Sequence, residues 1–566
     1  MSAVRHWKRL AVVLLLVGMT VCWVFATPMF GLSDESAQVM KAAASVRGQL
    51  VGKPDGGPNA TVRIPEDLIG PDRLPCFMFR PTVGAGCEPP LGHDTKVVPE
   101  ETWVGYYPPF YYLVVGWPSL LFNGEAAVYA MRLVAALLTA VLLGLAYLSA
   151  ADARGRTLLL PALAALATPY VLVYMATVNP SGMEMASALC AWTSGVALAN
   201  GPPPAKRRRI LVRFVIGLAV LTQVRDFGPI FVGVIVLALV GWYGVRPSWA
   251  LLGRRAVRLI VAGVGVCAAF TSAWVLGVAN LSFVGNAIPK GKGDLELLWL
   301  SVQRFGHDML QLPGNFGWTD TSPPWWVIAL GLVIMGGLTV VGFRAAAKRE
   351  RAVVVALLVF SFVFPVVLVA IEARREGFLG QGRYWFPLVA GVLLAAAEAG
   401  GSRMTRPSRL LWTATAITAV GEVAVNLVDF QVALDRFRFG LGQPEITAGW
   451  NPPGGGDPWP IAFGALTLGL TYWWWRLCQP QGAVLPGWRR GGRSARALSA
   501  KAAADQSPVH AAAHAAAQSP AHAAAHAAAQ SPAHAAHAAA QSPAPAARAA
   551  AQSPAPHVSA GGEPIA

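Results

Sequence analysis

Apolar residues in this chain come in long blocks, and no other feature constrains its fold as much. Leu10–Ala26, Arg132–Ala151, Leu259–Ala279, Trp325–Gly342, Ala352–Ile371, Leu410–Gly421 and Pro460–Trp475 recur along a chain of 566 residues. A run of roughly 18 apolar residues is long enough to cross the hydrocarbon core of a bilayer as a helix. One block would fit a buried core helix, whereas a series of them calls for a solvent in which each helix satisfies its own backbone. The composition agrees: only 13% of residues are charged, against about 25% in an average soluble domain.

The net charge of +16 would suggest a nucleic-acid partner in a soluble protein. Here the basic residues fall in short clusters between apolar blocks, the pattern of cytoplasmic anchors. They are Arg5/Lys8/Arg9, Arg154/Arg156, Lys206–Arg209, Arg254/Arg255/Arg258, Arg344/Lys348/Arg349/Arg351, Arg403/Arg406/Arg409 and Arg489/Arg490/Arg493/Arg496. No nucleic-acid partner is expected. There is neither a P-loop nor a glycine-rich dinucleotide fingerprint, which argues against a nucleotide-driven pump. The N-terminus resembles a signal peptide, but its apolar run is long and Ala26-Thr27-Pro28 is a poor cleavage site, so it reads as a retained first helix.

Placing every basic cluster on the inside predicts an all-α integral membrane protein with about twelve crossings. They fall at 8–27, 127–150, 158–177, 183–199, 210–224, 228–245, 259–279, 325–343, 352–370, 383–398, 410–428 and 459–477, with both termini cytoplasmic. The parity holds only if Phe110–Phe122 rests in the interface without crossing. The membrane domain then covers residues 1–479. Its outer segments are a large first loop at 28–126 with interfacial helices, a second loop at 280–324, shorter pieces at 371–382 and 429–458, and the turns near Asn179 and Arg225-Asp226. Cys76 and Cys87 share the first loop, where an oxidising compartment would favour a small disulfide hairpin. Cys22, Cys190, Cys267 and Cys478 read as packing residues in or beside apolar blocks. Residues 480–566 repeat Gln-Ser-Pro units among Ala and His and read as a disordered cytoplasmic tail. Histidines four apart in that tail could bind metal on a helix, but recurrent proline breaks any helix there.

Residues able to do chemistry gather in the outer segments. Asp34 and Glu35 follow the first crossing. Ser33 is placed to cap a short interfacial helix with Val39, Ala43, Val46 and Leu50 on its apolar face. Two carboxylates there suit helix capping, or a general base or metal ligand. Glu184 lies in the first turn of the crossing that opens at Asn179-Pro180, at a depth where an acid is costly. The second loop mixes Gly, Asn, Asp and aromatics around Asn315-Phe316-Gly317-Trp318-Thr319-Asp320. Trp318 can stack on a sugar ring or simply sit at the interface. Arg383, beside Tyr384, stands at an outer helix end against the charge rule, as do Arg374, Arg375 and, similarly, Arg132. An outward arginine can grip a phosphate bidentately or snorkel to lipid headgroups.

Ser33-Asp34-Glu35, Tyr107-Pro108-Pro109-Phe110, Arg132-Leu133, Asn179-Pro180, Asn315–Asp320 and Gln381-Gly382-Arg383-Tyr384 occur together and in this order. The set resembles the bacterial membrane proteins grouped as domain of unknown function 2142, over about residues 8–478. That family in turn looks like part of the GT-C superfamily of membrane glycosyltransferases, which use lipid-phosphate-linked sugars at the outer face. The resemblance implies a GT-C-like fold. It implies Asp34, with Glu35 beside it, as the first-loop catalytic acid. It implies Arg383 near the lipid phosphate. Arg132, Trp318, Asp320 and Tyr384 are the further candidate substrate contacts. The cofactor is left open; a divalent cation, magnesium or manganese, is one candidate, with Asp34 and Glu184 as its candidate ligands. The chain departs from the family at Gln38, where a histidine is usual, and at Ser181, where an aspartate is usual.

The expectation is therefore a glycosyltransferase in the cell membrane, moving a sugar from a polyprenyl-phosphate donor to an envelope glycan, lipid or protein. The alternatives from other classes are a lipid-linked-saccharide flippase and a non-catalytic partner in envelope assembly.

Overall fold

A computed structural model describes residues 2–54, 59–70, 74–278, 293–378, 380–404, 409–442 and 449–478. The tail and its expected disorder lie outside the described residues, as does Arg406. So do the side chains of Arg5, Lys8 and Arg375.

Seventeen helices are described, in chain order: α1 Ser2–Ala26, α2 Glu35–Val46, α3 Phe110–Gly116, α4 Gly124–Asp152, α5 Arg156–Leu166, α6 Pro169–Met175, α7 Pro180–Ala199, α8 Pro204–Val224 and α9 Gly228–Tyr243. They continue with α10 Val245–Leu251, α11 Arg255–Gly277, α12 Asp294–Leu310, α13 Trp325–Ala345, α14 Lys348–Glu376, α15 Gly382–Gly401, α16 Arg409–Phe439 and α17 Pro458–Cys478. A helix coincides with each of the twelve expected crossings. By length and apolarity seven can span a bilayer alone: α1, α4, α11, α13, α14, α15 and α16. The bent pairs α5–α6 and α9–α10 raise this to nine if each is one span. The rest of the expected twelve are α7, α8 and α17. The first two show why apolarity misses them: α7 carries Ser181, Glu184, Ser187, Thr193 and Ser194 into the bundle, and α8 opens on four basic residues. The chain is thus an all-helical, multi-pass membrane protein, and a count of twelve goes beyond what helix length and apolarity establish.

Buried α7 and α15 form the middle of the bundle. α7 packs on α4, α8 and α15, and α15 also on α13 and α14. Most residues of both helices are apolar or small, as burial requires.

The first loop departs from the all-helical pattern. It contains a three-stranded antiparallel sheet of β1 Lys53–Pro54, β2 Ala60–Pro65 and β3 Val97–Thr102, with Ala60 opposite Thr102 and Pro65 opposite Val97. β2 buries Ala60, Val62 and Ile64 and turns Arg63 outward, the alternation of a half-covered strand. Beneath the sheet lies α2, buried on every side through Ser45 and ending at Val46. The expected amphipathic helix reaching Leu50 is therefore shorter and more enclosed, because the sheet and α3 cover it. The Phe110–Phe122 stretch forms seven-residue α3 and a short 3₁₀ turn at Trp117–Leu120. At ~1.5 Å per residue α3 reaches about a third of the way across the hydrocarbon core. It buries Tyr111, Tyr112 and Val115 and exposes Leu113, while Trp117, Leu120 and Leu121 are exposed beside it. Cys76 and Cys87 are joined in a disulfide.

Candidate active site

The segment from Pro28 to Glu35 leaves α1 in a turn that long-range contacts hold. Gly31 N donates to Pro28 O at 3.1 Å and Ser33 N to Gly317 O at 3.2 Å. Asn179 Nδ2 donates to Ser33 O at 3.1 Å, and Trp318 Nε1 to Phe30 O at 3.2 Å. Motifs hundreds of residues apart in sequence thus meet on this one turn. Among the described residues four non-glycines have positive φ: Phe30 at 54°, Asp34 at 69°, Phe79 at 55° and Thr319 at 64°. Two are in the turn, Thr319 follows Trp318, and Phe79 meets the Trp318 ring edge-on at 5.9 Å. Strain of this kind persists only where the surroundings over-determine it, and it gathers at functional sites.

Asp34, not Ser33, occupies the N-cap of α2, and its carboxylate makes no capping bond. The left-handed backbone, which Asp tolerates better than most residues, aims it elsewhere. Trp103 Nε1 donates to Asp34 Oδ1 at 3.2 Å, and Arg383 Nη2 is ion-paired with Asp34 Oδ2. The Asp34 side chain keeps 24% of its surface open.

Glu35, one residue on, is 0% exposed. It accepts from Arg132 Nε at 2.7 Å and Nη2 at 2.6 Å, and from Val178 N at 3.1 Å. Arg132, also fully buried, spends its remaining donors on Thr27 O at 2.7 Å, Pro28 O at 2.6 Å and Val24 O at 3.2 Å. The two side chains saturate each other beneath the turn and leave no donor for a ligand.

Arg383 is held from several sides. Tyr170 Oη accepts from Arg383 N at 3.1 Å, Gln311 Oε1 from Gly382 N at 2.9 Å, and Asp308 Oδ2 from Trp385 Nε1 at 3.1 Å. Burial pushes Asp308 up to about 6, although the Trp385 bond opposes it. The Arg383 guanidinium lies 4.9 Å from the Tyr174 ring and 5.0 Å from the Tyr384 ring, and Nη2 also donates to Tyr384 Oη at 3.1 Å. The side chain is 1% exposed, yet Nε and Nη1 have no hydrogen-bond partner among the described residues. Buried donors of a charged group are expensive to leave unpaired. Gly182 lets α6 and α7 approach here, since a Cβ on it would collide with the Tyr174 carbonyl.

A second arginine completes the cluster. Arg225, in the turn between α8 and α9, lies 4.6 Å over the Tyr384 ring, which Arg383 also contacts. Its Nη1 is 3.0 Å from Ser181 Oγ and 3.6 Å from Glu184 Oε2. Burial would lower Arg225, but Glu184, Tyr384 and Tyr107 together outweigh it and keep Arg225 cationic. Neighbouring Asp226 is pushed up by burial against the pull of Arg225, and its Oδ1 has no partner among the described residues. Arg225, Trp103 and Tyr174 were not singled out from sequence. Arg225 carries the same signal that marked Arg383, an arginine at an outer turn against the charge rule.

The other expected contacts sit further back. Trp318 is buried under Phe79, and Asp320 pairs with Arg436 at 3.2 Å while accepting from Thr321 at 2.9 Å. Arg436 also ties down the carbonyls of Phe77 and Val83, so this network fastens the disulfide loop to α16. Arg374 pairs with exposed Asp294. The donors do not fit a divalent ion. Among the described residues no three His, Cys, Asp or Glu side chains come together to hold one, and Asp34 and Glu184 are each matched to an arginine.

A strained turn that carries an acid against buried arginines thus sits within a helical, multi-pass membrane protein. The profile of the DUF2142 family, described as predicted membrane protein, matches residues 16–392. The chain belongs to this family. In fold the chain is similar to ArnT from Cupriavidus metallidurans, solved bound to undecaprenyl phosphate. The TM-score is 0.38 at 16% identity, covering 84% of this chain and 77% of that one. No curated protein matches the sequence.

Proposed function

We propose that this protein is a glycosyltransferase of the GT-C kind, moving a sugar from a polyprenyl-phosphate donor to a cell-envelope acceptor at the outer membrane face. The observation that carries this reading is the pairing of Asp34, partly open on a strained turn, with Arg383, whose Nε and Nη1 are buried and unspent. The reading sets the first loop outside and both termini in the cytoplasm, and the Cys76–Cys87 disulfide supports the former.

In the resting pair Arg383 quenches Asp34. A donor phosphate recruits Arg383, with Arg225 adding a second positive charge, and this frees the carboxylate. The acceptor hydroxyl oxygen then attacks the anomeric carbon as its proton passes to Asp34. The bond from that carbon to the phosphate oxygen breaks, and polyprenyl phosphate leaves with its charge offset by the arginines. No metal enters this scheme. Glu35 and Arg132, expected as a second acid and a phosphate contact, act here as the support that fixes the turn. Trp318 and Asp320 act in the same way from the second loop.

A saccharide transporter is the second reading, favoured by buried Glu422 and Asp429 in the middle of α16. Lipid-linked sugar profiling of a deletion strain separates the two. Accumulation of one polyprenyl-phosphate sugar, together with loss of its transfer product, supports the transferase. An unchanged pool of such lipids contradicts it.

A further inference from the structure

The outer site holds an acid that the transfer scheme leaves idle. Asp226 stands in the turn between α8 and α9, and the residues on either side of it grip consecutive residues of α15. Arg225 lies over the Tyr384 ring at 4.6 Å, and the Phe227 ring meets that of Trp385 at 6.4 Å. Gly228 N closes the turn by donating to Arg225 O at 3.0 Å. A side chain at Gly228 would strike the Leu221 carbonyl, so only glycine lets the chain fold back this tightly. The backbone that carries Asp226 is thus pinned on both sides, against the ring that Arg383 also touches.

No local duty accounts for this carboxylate. The N-cap of α9 is Phe227, with no side-chain cap bond, so Asp226 does not cap that helix. Arg225 turns Nη1 to Ser181 and Glu184. Asp226 Oδ1 is buried without a hydrogen-bond partner among the described residues. A buried acceptor is expensive to leave unmade, and one at a ligand site calls for a partner from outside the fold. Asp226 also shares its surroundings with Asp34. Burial is the first cause that raises the Tyr107 hydroxyl, and Arg225, Tyr384, Asp226 and Asp34 all act on that same hydroxyl through space. Asp34, Trp103, Tyr107, Arg225, Asp226 and Tyr384 are each partly exposed, whereas Arg383, Tyr170 and Tyr174 behind them are buried. The partly exposed set offers three aromatic rings and two carboxylates beside the arginine that the scheme gives to phosphate. Aromatic faces with a few placed polar groups are what orients a bound small molecule.

We propose that Asp226 accepts a hydrogen bond from a hydroxyl of the donor sugar, and so selects which polyprenyl-phosphate sugar the site takes. This rests on the glycosyltransferase reading above. The two acids then divide the work: Asp34 takes the acceptor's proton, while Asp226 exchanges none and holds the sugar ring as the arginines hold the phosphate. The carboxylate turns readily about its terminal torsion, which brings Oδ1 to the open edge of the residue. A site built to bond a hydroxyl rejects an analogue that lacks it, because its own polar group is then left unpaired.

The test measures binding of two probes to the full-length protein in nanodiscs. One is a synthetic polyprenyl phosphate that carries no sugar; the other is the polyprenyl-phosphate sugar that accumulates in the deletion strain. Asp226→Ala should weaken the sugar-bearing lipid by roughly 10- to 100-fold, the range of a hydrogen bond to a charged group. It should tighten the sugar-free lipid, because a negative charge beside Arg225 is gone. Asp226→Asn keeps an acceptor and should recover part of the loss; being nearly isosteric, it also serves where Asp226→Ala does not fold. A merely structural Asp226 would weaken both probes together. That result, or wild-type affinity for the sugar-bearing lipid in both variants, would overturn the proposal while leaving the transferase reading in place. A wild type that binds neither probe, or a deletion strain that accumulates no such lipid, would overturn that reading and this inference with it.

Discussion

Two adjacent acids in one turn have opposite surroundings. Glu35 is enclosed and accepts three hydrogen bonds from Arg132 and Val178, and Arg132 is itself saturated. Asp34 is partly open, and the arginine it faces keeps two donors unspent. A saturated buried pair holds structure together, whereas an unsaturated one at an opening has capacity left for a ligand. The left-handed φ of Asp34 produces the difference, since it turns consecutive side chains to different sides of the chain.

The largest expected effect lies on the structural side of this comparison. Arg132→Ala leaves Glu35 charged, buried and without its partner, which costs about 3–5 kcal/mol. Its measurable outcome is loss of folded protein from the membrane, read by fluorescence-detection size-exclusion chromatography. Normal yield and a normal thermal midpoint in that variant would break the distinction between the two pairs. Opening the Cys76–Cys87 disulfide by Cys76→Ser with Cys87→Ser should cost less, roughly 2–4 kcal/mol. It should loosen Phe79 from Trp318 and register as a lower midpoint, with slower transfer rather than none.

A smaller effect concerns Lys41, which α2 buries beside the carbonyls of Leu50 and Gly105, at 2.7 and 2.6 Å. Burial pushes Lys41 down to about 7 from 10.5. Its folded-state value is depressed, so the unfolded chain binds the proton more readily. The stability Lys41 contributes is present above pH 10.5 and lost as pH falls toward 7. Thermal midpoints across that window should decline with falling pH in wild type. They should flatten in Lys41→Met, which removes the titrating group.

Much of this site was legible in the sequence. Ser33-Asp34-Glu35, Arg132, Asn179, the Gly317–Asp320 loop and Arg383 were singled out from their order, and they meet at one turn. Their division of labour was not legible. Whether Arg132 faces a ligand or Glu35 depends on contacts about a hundred residues apart, and one backbone angle decides which acid is open. Arg225 was passed over because it sits in a short turn among apolar blocks, although its position broke the charge rule. Helices α7 and α8 were placed by charge parity because their own apolarity is too low: α7 buries polar side chains against protein, and α8 opens on Lys206–Arg209. Glu422 and Asp429 went unremarked within the otherwise apolar run of α16.

The most direct test compares polyprenyl-phosphate-sugar levels in membranes of a deletion strain carrying wild type, Asp34→Asn or Arg383→Lys at matched protein levels. Asn accepts the same left-handed backbone and makes a similar contact with Trp103, but it cannot take up the acceptor's proton. Transfer should drop by ~10²–10⁴-fold. The donor lipid should accumulate as in the deletion, with the protein still folded in the membrane. Arg383→Lys keeps the charge and loses the planar donors, so it should accumulate donor as well. Wild-type donor levels in both variants would contradict the account, leaving Asp34 and Arg383 as a structural pair like Glu35 and Arg132.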